Sequence, residues 1–175
     1  MITFTFNGLD FTNDMRVNEI SGRGITPSEV STQKVPGMVG AHLGRKTRNM
    51  REITIKFTVV GTSLTNLRDK INQLSERLDL DEVAPLVFSD EPDKTYFAIM
   101  TNASDDEEIK TYGFGTFTFL CPDPYKYGPE MTATLNTTSG SIINVAGTAP
   151  TRPVFELTAT APSTFAMVVN DKDEY

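Results

Sequence analysis

Few residues in this chain have side chains that could act as a nucleophile, a base or a metal ligand. The 175-residue sequence holds one histidine, His42, and one cysteine, Cys121. A Cys–His catalytic pair needs the imidazole beside the thiol, yet His42 lies in a glycine-rich segment and Cys121 stands directly before a proline. A zinc site would need two further carboxylates at short spacing, and no spacing supports one. The sequence therefore predicts no catalytic residue and no metal site, and we interpret Cys121 as a small buried apolar residue.

Acidic residues form clusters, but none has the pattern of a binding loop. The clusters span residues 79–82, 90–93 and 105–108. A calcium loop alternates Asp or Asn about a central glycine and ends in a glutamate, which no cluster does. We interpret the cluster of Asp90, Glu91 and Asp93 as a proline-containing turn, and the cluster at 105–108 as an exposed hairpin tip. The glycines between 22 and 44 lack the Gly-Lys-Ser/Thr sequence of a phosphate loop, so no cofactor is predicted.

The charged residues are unevenly distributed along the chain, whose formal net charge is −7. Residues 1–60 carry a net +3 and residues 61–130 a net −8. The basic excess concentrates in one stretch, which contains Arg45, Lys46, Arg48 and Arg51. An acidic chain is poorly suited to general nucleic-acid binding, which needs a basic face. Opposite patches on one molecule favour head-to-tail stacking of copies; the alternative is that both are solvated loops.

No feature of the sequence indicates export or a membrane partner. Ile2, Phe4 and Phe6 alternate with polar residues, so we expect no signal peptide. No apolar run is long enough to span a bilayer. The single cysteine excludes an internal disulfide, so stability must come from packing, from assembly or from both.

Apolar periodicity predicts a mostly-β α+β fold with one helix. The most regular strand runs over 52–59, and Asn7-Gly8 is the strongest hairpin signal. Apolar residues at helical spacing over 64–78, after Ser63 or Thr65 as a cap, predict an amphipathic helix that lies on a sheet. Shorter strands are predicted at 2–6, 9–11, 16–20, 86–88, 95–101 and 113–120. In the last of these, Gly113 and Gly115 indicate a bulge or a close backbone approach.

The segment between residues 25 and 50 is polar and rich in glycine, serine and threonine. A structureless loop of this length is unusual inside a compact domain. We therefore expect an extended β-hairpin arm that leaves the core, turns near Pro36–Gly40 and meets another surface.

After Glu130 the composition shifts to Thr, Ser, Ala and Asn, and charge nearly vanishes. Short strands are predicted at 142–145, 154–160 and 165–169, as at the start of a β-sandwich. We therefore expect two domains, 1–130 and 131–175. Three strands cannot close a sandwich and would leave open edges, so the second domain is expected to be a fragment or a short form completed by another chain.

Two stretches are the most informative: the proline-rich connector Cys121–Glu130 and the strand–turn–strand unit Phe88–Ala98. With four further segments, they resemble the distal tail proteins of siphophages that infect Gram-positive bacteria. Those four segments are Phe6–Phe11, Val35–Gly40, Arg51–Phe57 and Gly113–Leu120. Each is only a turn or a strand, but their order and spacing are those of the family.

The resemblance implies a β-sandwich or split-barrel-like ring-forming domain at 1–130 and the opening strands of a galectin-like sandwich at 131–175. It implies a homo-oligomeric ring, a hexamer, that joins the tail tube to the tail-tip, tail-fibre or baseplate proteins. DNA would pass through the lumen without specific binding. The expected location is the tail tip of the virion after assembly in the host cytoplasm, and no reaction, cofactor or metal is implied.

For the ring contact we expect the arm to reach the acidic face of the next subunit. The candidate interface residues are Arg45, Lys46, Arg48, Arg51, Asp90, Glu91 and Asp93. Acidic groups are also expected to line the lumen. One alternative is a carbohydrate-binding or host-adhesion module of a baseplate, although the sequence has no Trp and only Phe155, Phe165 and Tyr175 as aromatics after residue 130. An enzyme is a third alternative, which the single histidine disfavours.

Overall fold

The computed structural model describes residues 2–26, 28–135, 141–159, 161, 162, 164, 167 and 168, with only the backbone described for 105–108. In this part of the chain it has nine strands and one helix. The elements are β1 (Phe4–Phe6), β2 (Leu9–Asp10), β3 (Arg16–Ser21), β4 (Ser28–Gln33), β5 (His42–Arg48), β6 (Arg51–Val60), α1 (Leu64–Leu78), β7 (Ala84–Phe88), β8 (Thr95–Ile109) and β9 (Tyr112–Cys121). The mostly-β α+β class predicted from the sequence is confirmed.

Seven strands form one antiparallel sheet in the order β2-β1-β7-β8-β9-β6-β3. Every second residue of β9 from Gly113 to Cys121 is buried, as expected for a strand with one face on a core. Phenylalanines from several strands meet on that face: the ring centroids of Phe6 and Phe119 are 4.7 Å apart, and those of Phe4 and Phe117 are 5.9 Å apart. These aromatic contacts belong to a single hydrophobic core. We call the seven-stranded sheet and the helix that packs on it the body below.

The helix α1 covers the core face of the sheet. Its N-cap is Ser63, whose hydroxyl accepts a hydrogen bond from the main-chain N–H of Asn66, and its buried residues are Leu67, Leu74 and Leu78. A Cβ on Gly61 would lie 2.8 Å from Leu67, so glycine is required for this approach. The predicted helix and its packing on a sheet are confirmed.

The predicted close approach at the β9 glycines is also confirmed. A Cβ on Gly115 would lie 2.6 Å from the ring of Phe57, and one on Gly113 would lie 3.4 Å from Leu67 and Ile71. The ladder between β8 and β9 shifts register between Asp105 and Glu107, opposite this stretch. The glycines therefore make room for side chains packed against them.

The predicted arm is present as a separate two-stranded antiparallel sheet, β4 with β5. Its turn contains Gly37 and Gly40, both at positive φ, and the main-chain N–H of Met38 donates to the carbonyl of Val35. All residues of both strands are exposed. We call residues 25–50 the arm below.

The prediction of a hairpin tip at 105–108 is wrong. These residues lie inside β8, where Asp105, Glu107 and Glu108 pair with residues of β9. The turn comes later, at Lys110–Thr111, and Lys110 has φ 56°. β8 extends well past the predicted 95–101 because β9 continues as its partner, and strand pairing overrides the low intrinsic β-propensity of consecutive acidic residues.

The strands predicted at 142–145 and 154–160 are not found. Residues 142–145 and 154–159 form no strand, and several of their apolar side chains are exposed, such as Ile142 and Val154. A strand needs a hydrogen-bonding neighbour, and the described residues supply none for these segments. Residue 160 and most of the strand predicted at 165–169 lie outside the described residues. The domain boundary near Glu130 stays a prediction.

Candidate assembly surface

The arm exposes apolar side chains that nothing in the described part of the chain covers. Val39 is fully exposed and Leu43 is 75% exposed, and the neighbouring Val35 and Met38 are also exposed. A two-stranded ribbon without a packed face is marginally stable in water. We therefore expect the arm to become more stable when it packs against another surface.

The basic residues predicted for the interface follow one another along β5. Arg45, Lys46 and Arg48 are all exposed, and successive side chains of a strand point to opposite faces. Within the described residues none of the three forms an ion pair. Arg48 places its guanidinium 5.0 Å from the ring centroid of Tyr125, so the charge nearest the body rests on an aromatic ring. Arg45 and Lys46 remain available to a partner.

Arg51, the fourth basic residue predicted for the interface, is buried. It is 3% exposed, and its Nε donates to the carbonyl of Pro124 at 2.9 Å. One terminal nitrogen donates to the carbonyls of Gly22 and Gly24, and the other donates to the hydroxyl of Thr26 at 2.6 Å. Its donors thus join the start of the arm to the connector after β9, and its contribution to an interface can only be indirect.

The acidic turn between β7 and β8 is partly neutralised by cations of the same chain. A terminal nitrogen of Arg23 lies 2.9 Å from a carboxylate oxygen of Asp90 and 2.9 Å from one of Glu91. Lys126 lies 2.7 Å from the other Glu91 oxygen. Asp93 is exposed and forms no ion pair within the described residues. Asp93 and the exposed side of Asp90 are therefore the accessible negative charges of this turn.

These contacts shift the ionisation of Glu91 strongly. The hydrogen bonds from Lys126 and Arg23 lower the pKa of Glu91 to about 2. The same hydrogen bond raises the pKa of Lys126. Burial lowers the pKa of Arg23, but hydrogen bonds to Asp90 and Glu91 outweigh it and leave that pKa raised. The turn is thus held as a charged network, and Arg23 also stacks 4.2 Å from the ring centroid of Phe88.

The connector after β9 is fixed to the body. The main chain of Tyr127 pairs with that of Thr95 through two hydrogen bonds of 2.8 Å. The Tyr127 ring meets the Phe97 ring edge-on at a centroid distance of 5.4 Å, and its hydroxyl donates to Asp123. Residues 121–127 therefore have a defined path on the surface of the sheet.

His42 and Cys121, the two residues considered for catalysis, lie in different environments. His42 is exposed on the arm, whereas Cys121 is buried at the end of β9, opposite Arg51. Burial raises the pKa of the Cys121 thiol to about 11, so the thiolate needed for nucleophilic attack is scarce. Among the described residues no group of acidic, histidine or cysteine side chains could hold a metal, and no helix there is long and apolar enough to cross a membrane.

An open cleft of about 840 Å³ separates the start of the arm from β6. Gly22, Ile25, Glu29 and residues 48–52 line it. It contains neither His42 nor Cys121, so it offers space beside the arm and no reactive group.

Sequence reasoning missed Arg23 and Lys126. The only local signal for Arg23 is its position between Gly22 and Gly24, and Lys126 stands between two tyrosines. Their shared partner, Glu91, is 68 residues from one and 35 from the other. No periodicity reports contacts over that separation.

Comparison with known proteins points to phage tails. A family model described as phage tail protein RIFT-related domain matches residues 7–121. The distal tail protein of Bacillus phage SPP1 is 34% identical over 164 residues, which cover 91% of this chain and 65% of that protein. The chain thus spans just under two thirds of the length of this curated relative.

Solved structures agree with the sequence match. The crystal structure of SPP1 Dit, described as a paradigm of the hub adsorption apparatus in phages infecting Gram-positive bacteria, superposes with a TM-score of 0.69 at 31% identity. That match covers 74% of this chain and 53% of the SPP1 chain. A chain of the phage P2 baseplate in its activated conformation with calcium matches with a TM-score of 0.52 at 14% identity, over 68% of this chain and 43% of that one. At that identity the baseplate likeness concerns the fold alone.

Proposed function

Since the chain belongs to the phage tail protein RIFT-related domain family, we propose that it is a distal tail hub that assembles as a ring. The resemblance to siphophage distal tail proteins, expected from the sequence, is confirmed. In the proposed role, copies of the chain close a hexameric ring at the tail tip of the virion, after assembly in the host cytoplasm. The ring joins the tail tube to the tail-tip, tail-fibre or baseplate proteins and leaves a channel for DNA.

The observation that carries this proposal is the uncovered arm. A closed head-to-tail ring needs two different patches on each subunit, because one patch of a molecule meets another patch of its neighbour. The arm supplies a basic, partly apolar patch, and the turn at residues 89–94 supplies an acidic one on the body. The two patches differ in charge and in shape, as a heterologous contact requires.

In the proposed contact, the stretch that holds Arg45, Lys46 and Arg48 lies edge-on against the acidic turn of the next subunit, so that side chains from both faces of β5 reach Asp93 and the accessible side of Asp90. Exposed ion pairs each contribute only about 0–1 kcal/mol, so charge selects the partner and the register more than it holds the ring. Arg51 and Glu91 act from within the chain. Arg51 fixes the start of the arm, and Glu91 fixes the turn through Arg23 and Lys126.

The channel proposal rests on charge. The net charge of the chain is −7, and a protein must neutralise phosphates with basic side chains to retain DNA. An acidic ring therefore lets DNA pass without holding it. The proposal involves no reaction and no cofactor.

The test is the solution mass by light scattering, followed by negative-stain imaging of the main peak. We expect a ring with an open centre for the native chain. The variant R45E/K46E/R48E should shift the mass toward monomer, because three reversed charges would repel the acidic turn of the neighbour.

The matched control is R16E/R68E/K110E, which changes the net charge by the same amount at exposed positions outside the arm and the turn. It should leave the ring intact. Equal masses for all three proteins across a salt series would contradict the proposed contact, and a native monomer at every concentration would contradict self-assembly of this chain.

The carbohydrate-binding or host-adhesion alternative has lost part of its support. It depended on strands after residue 130, which the described residues do not form there. Phe155 is half-exposed, while Phe165 and Tyr175 lie outside the described residues. Binding on a glycan array that is lost in F155A would favour this alternative over the ring.

A further inference from the structure

One face of the seven-stranded sheet is not covered by the helix. In the β7–β8 ladder, Leu86 pairs with Tyr96 and both are buried, whereas the adjacent pair, Pro85 with Phe97, is exposed. Because side chains alternate between the faces of a sheet, Pro85 and Phe97 lie on the face opposite α1. The apolar residues Pro85, Val87, Phe97, Ile99 and Leu120 lie on this outer face, and the ring of Tyr127 meets that of Phe97 edge-on. We call these six residues the outer strip.

The outer strip is apolar and accessible. Phe97 is 41% exposed and Tyr127 is 44% exposed, and Val87, Ile99 and Leu120 are half-buried. Glu52, which pairs with Leu120 and is exposed, lies at the border of the strip on the β6 side. Single apolar residues on a surface are ordinary, but a contiguous apolar patch beside polar residues is typical of an interaction site.

The acidic turn lies at one end of the outer strip. Residues 89–94 connect Phe88, the last residue of β7, to Thr95, the first of β8. A partner that binds both features must therefore present positive charge followed by apolar side chains. The described residues contain such a sequence on the arm. From Arg48 toward the tip of the arm, the basic residues Arg48, Lys46 and Arg45 are followed by the apolar residues Leu43 and Val39.

The arm strand is long enough to cover the apolar part of β8. From Arg48 to His42 the arm strand advances six residues, or about 20 Å at ~3.4 Å per residue. On the body, β8 advances four residues from Thr95 to Ile99, or about 14 Å, and the acidic turn precedes it. If the basic residues of the arm lie at the acidic turn, the apolar tip of the arm lies along the outer strip.

We propose that the arm of one subunit lies across the outer strip of the next, with Val39 and Leu43 covering Phe97 and Ile99. This inference rests on the proposed ring and names the surface that the arm occupies. Both surfaces are left open within one chain, so their union removes apolar area from water on both sides. The contact is heterologous, which is the geometry that a closed ring needs.

The experiment is cross-linking between two single-cysteine variants, V39C and F97C, mixed before a short bis-maleimide treatment. Mixing identifies the contact as intermolecular, since each chain carries only one introduced thiol. Buried Cys121 has a raised pKa and should stay unreactive, and the native chain measures any reaction it has. We expect cross-linked dimer in the mixture at least tenfold above either variant alone, with light scattering on the same samples. I99C replaces F97C if the latter fails to fold.

Each outcome bears on the inference in a defined way. Rings that form without the V39C–F97C or V39C–I99C product overturn the inference and leave the proposed ring standing. Monomers without product overturn both. A separate double variant, F97C/F155C, tests the other occupant: a cross-link within one chain would show that the segment after Glu130 occupies the strip instead, and would also overturn the inference.

Discussion

β5 and β6 follow each other along the chain with only Asn49 and Met50 between them, yet their environments are opposite. β6 buries Ile53, Ile55 and Val59 against the core, whereas every residue of β5 is exposed. β6 pairs with β9 along its whole length, and β5 pairs with β4 except at Gly44 and Arg45, where the register shifts. The comparison teaches that backbone pairing alone creates the arm, while side-chain packing creates the body. It follows that the body should fold alone and the arm should depend on contact with another molecule.

The largest expected difference between the two regions concerns large-to-small substitutions. F119A removes a fully buried ring that packs on Phe6, so unfolding should become easier by about 3–5 kcal/mol. L43A removes an exposed side chain of the arm, so the free energy of unfolding of the isolated chain should change by less than about 0.5 kcal/mol. Urea denaturation under conditions that keep the chain monomeric measures both.

A comparable loss from L43A in the monomer would break the comparison, because it would mean that the arm packs on its own body. In the proposed ring, by contrast, L43A should weaken assembly while leaving the monomer unchanged. The pair of measurements thus separates folding from association.

Between these two regions stands Arg51, whose side chain joins the start of the arm to the connector. R51M keeps much of the volume but leaves the carbonyls of Gly22, Gly24 and Pro124 without this donor. Loss of hydrogen bonds from a buried charged group should cost about 2–4 kcal/mol. The matched control is R48M, whose guanidinium is exposed and rests on Tyr125; it should cost less than about 1 kcal/mol.

Thermal or urea unfolding of the two arginine variants tests this difference. If R51M and R48M are equally stable, the guanidinium of Arg51 does not hold the two segments together. The proposal that Arg51 serves the interface indirectly would then lose its basis.

Much of the fold follows from local patterns. The alternation over 52–59, the helical spacing over 64–78 and the cap at Ser63 predicted β6 and α1, and the length of the glycine-rich segment predicted the arm. These signals work because each depends on neighbours within one element. The acidic cluster at 105–108 was harder, because it forms a strand only where β9 runs beside it.

The candidate site was predicted in part, and Arg51 shows why. It was grouped with Arg45, Lys46 and Arg48 by charge, although its position two residues before Ile53 places it on the buried face of β6. The alternation of buried and exposed residues along the strand therefore indicates that Arg51 is buried, which a count of charges does not. Arg23 and Lys126 could not be found in this way, because their shared partner Glu91 lies far away in the sequence.

The smallest expected effect concerns the network that holds the acidic turn. Glu91 has a lowered pKa of about 2 in the folded chain, against an ordinary value of 4.5 for a glutamate side chain. A lowered folded-state pKa gives stability that is present above the unfolded pKa and is lost as pH falls toward the folded one. The window for Glu91 is therefore about pH 5 to pH 2. Because the side chain is 32% exposed, solvent screening limits the contribution to roughly 1–2 kcal/mol.

E91Q should accordingly be less stable than the native chain by roughly 1–2 kcal/mol at pH 7, and the gap should close as the pH is lowered through that window. D93N is the matched control, since Asp93 lies in the same turn but forms no ion pair within the described residues; it should change stability little at either pH. Urea midpoints at several pH values measure the gap. A gap that persists unchanged at low pH would mean that Glu91 contributes through shape and not through its charge, and that the acidic turn is not held by Arg23 and Lys126.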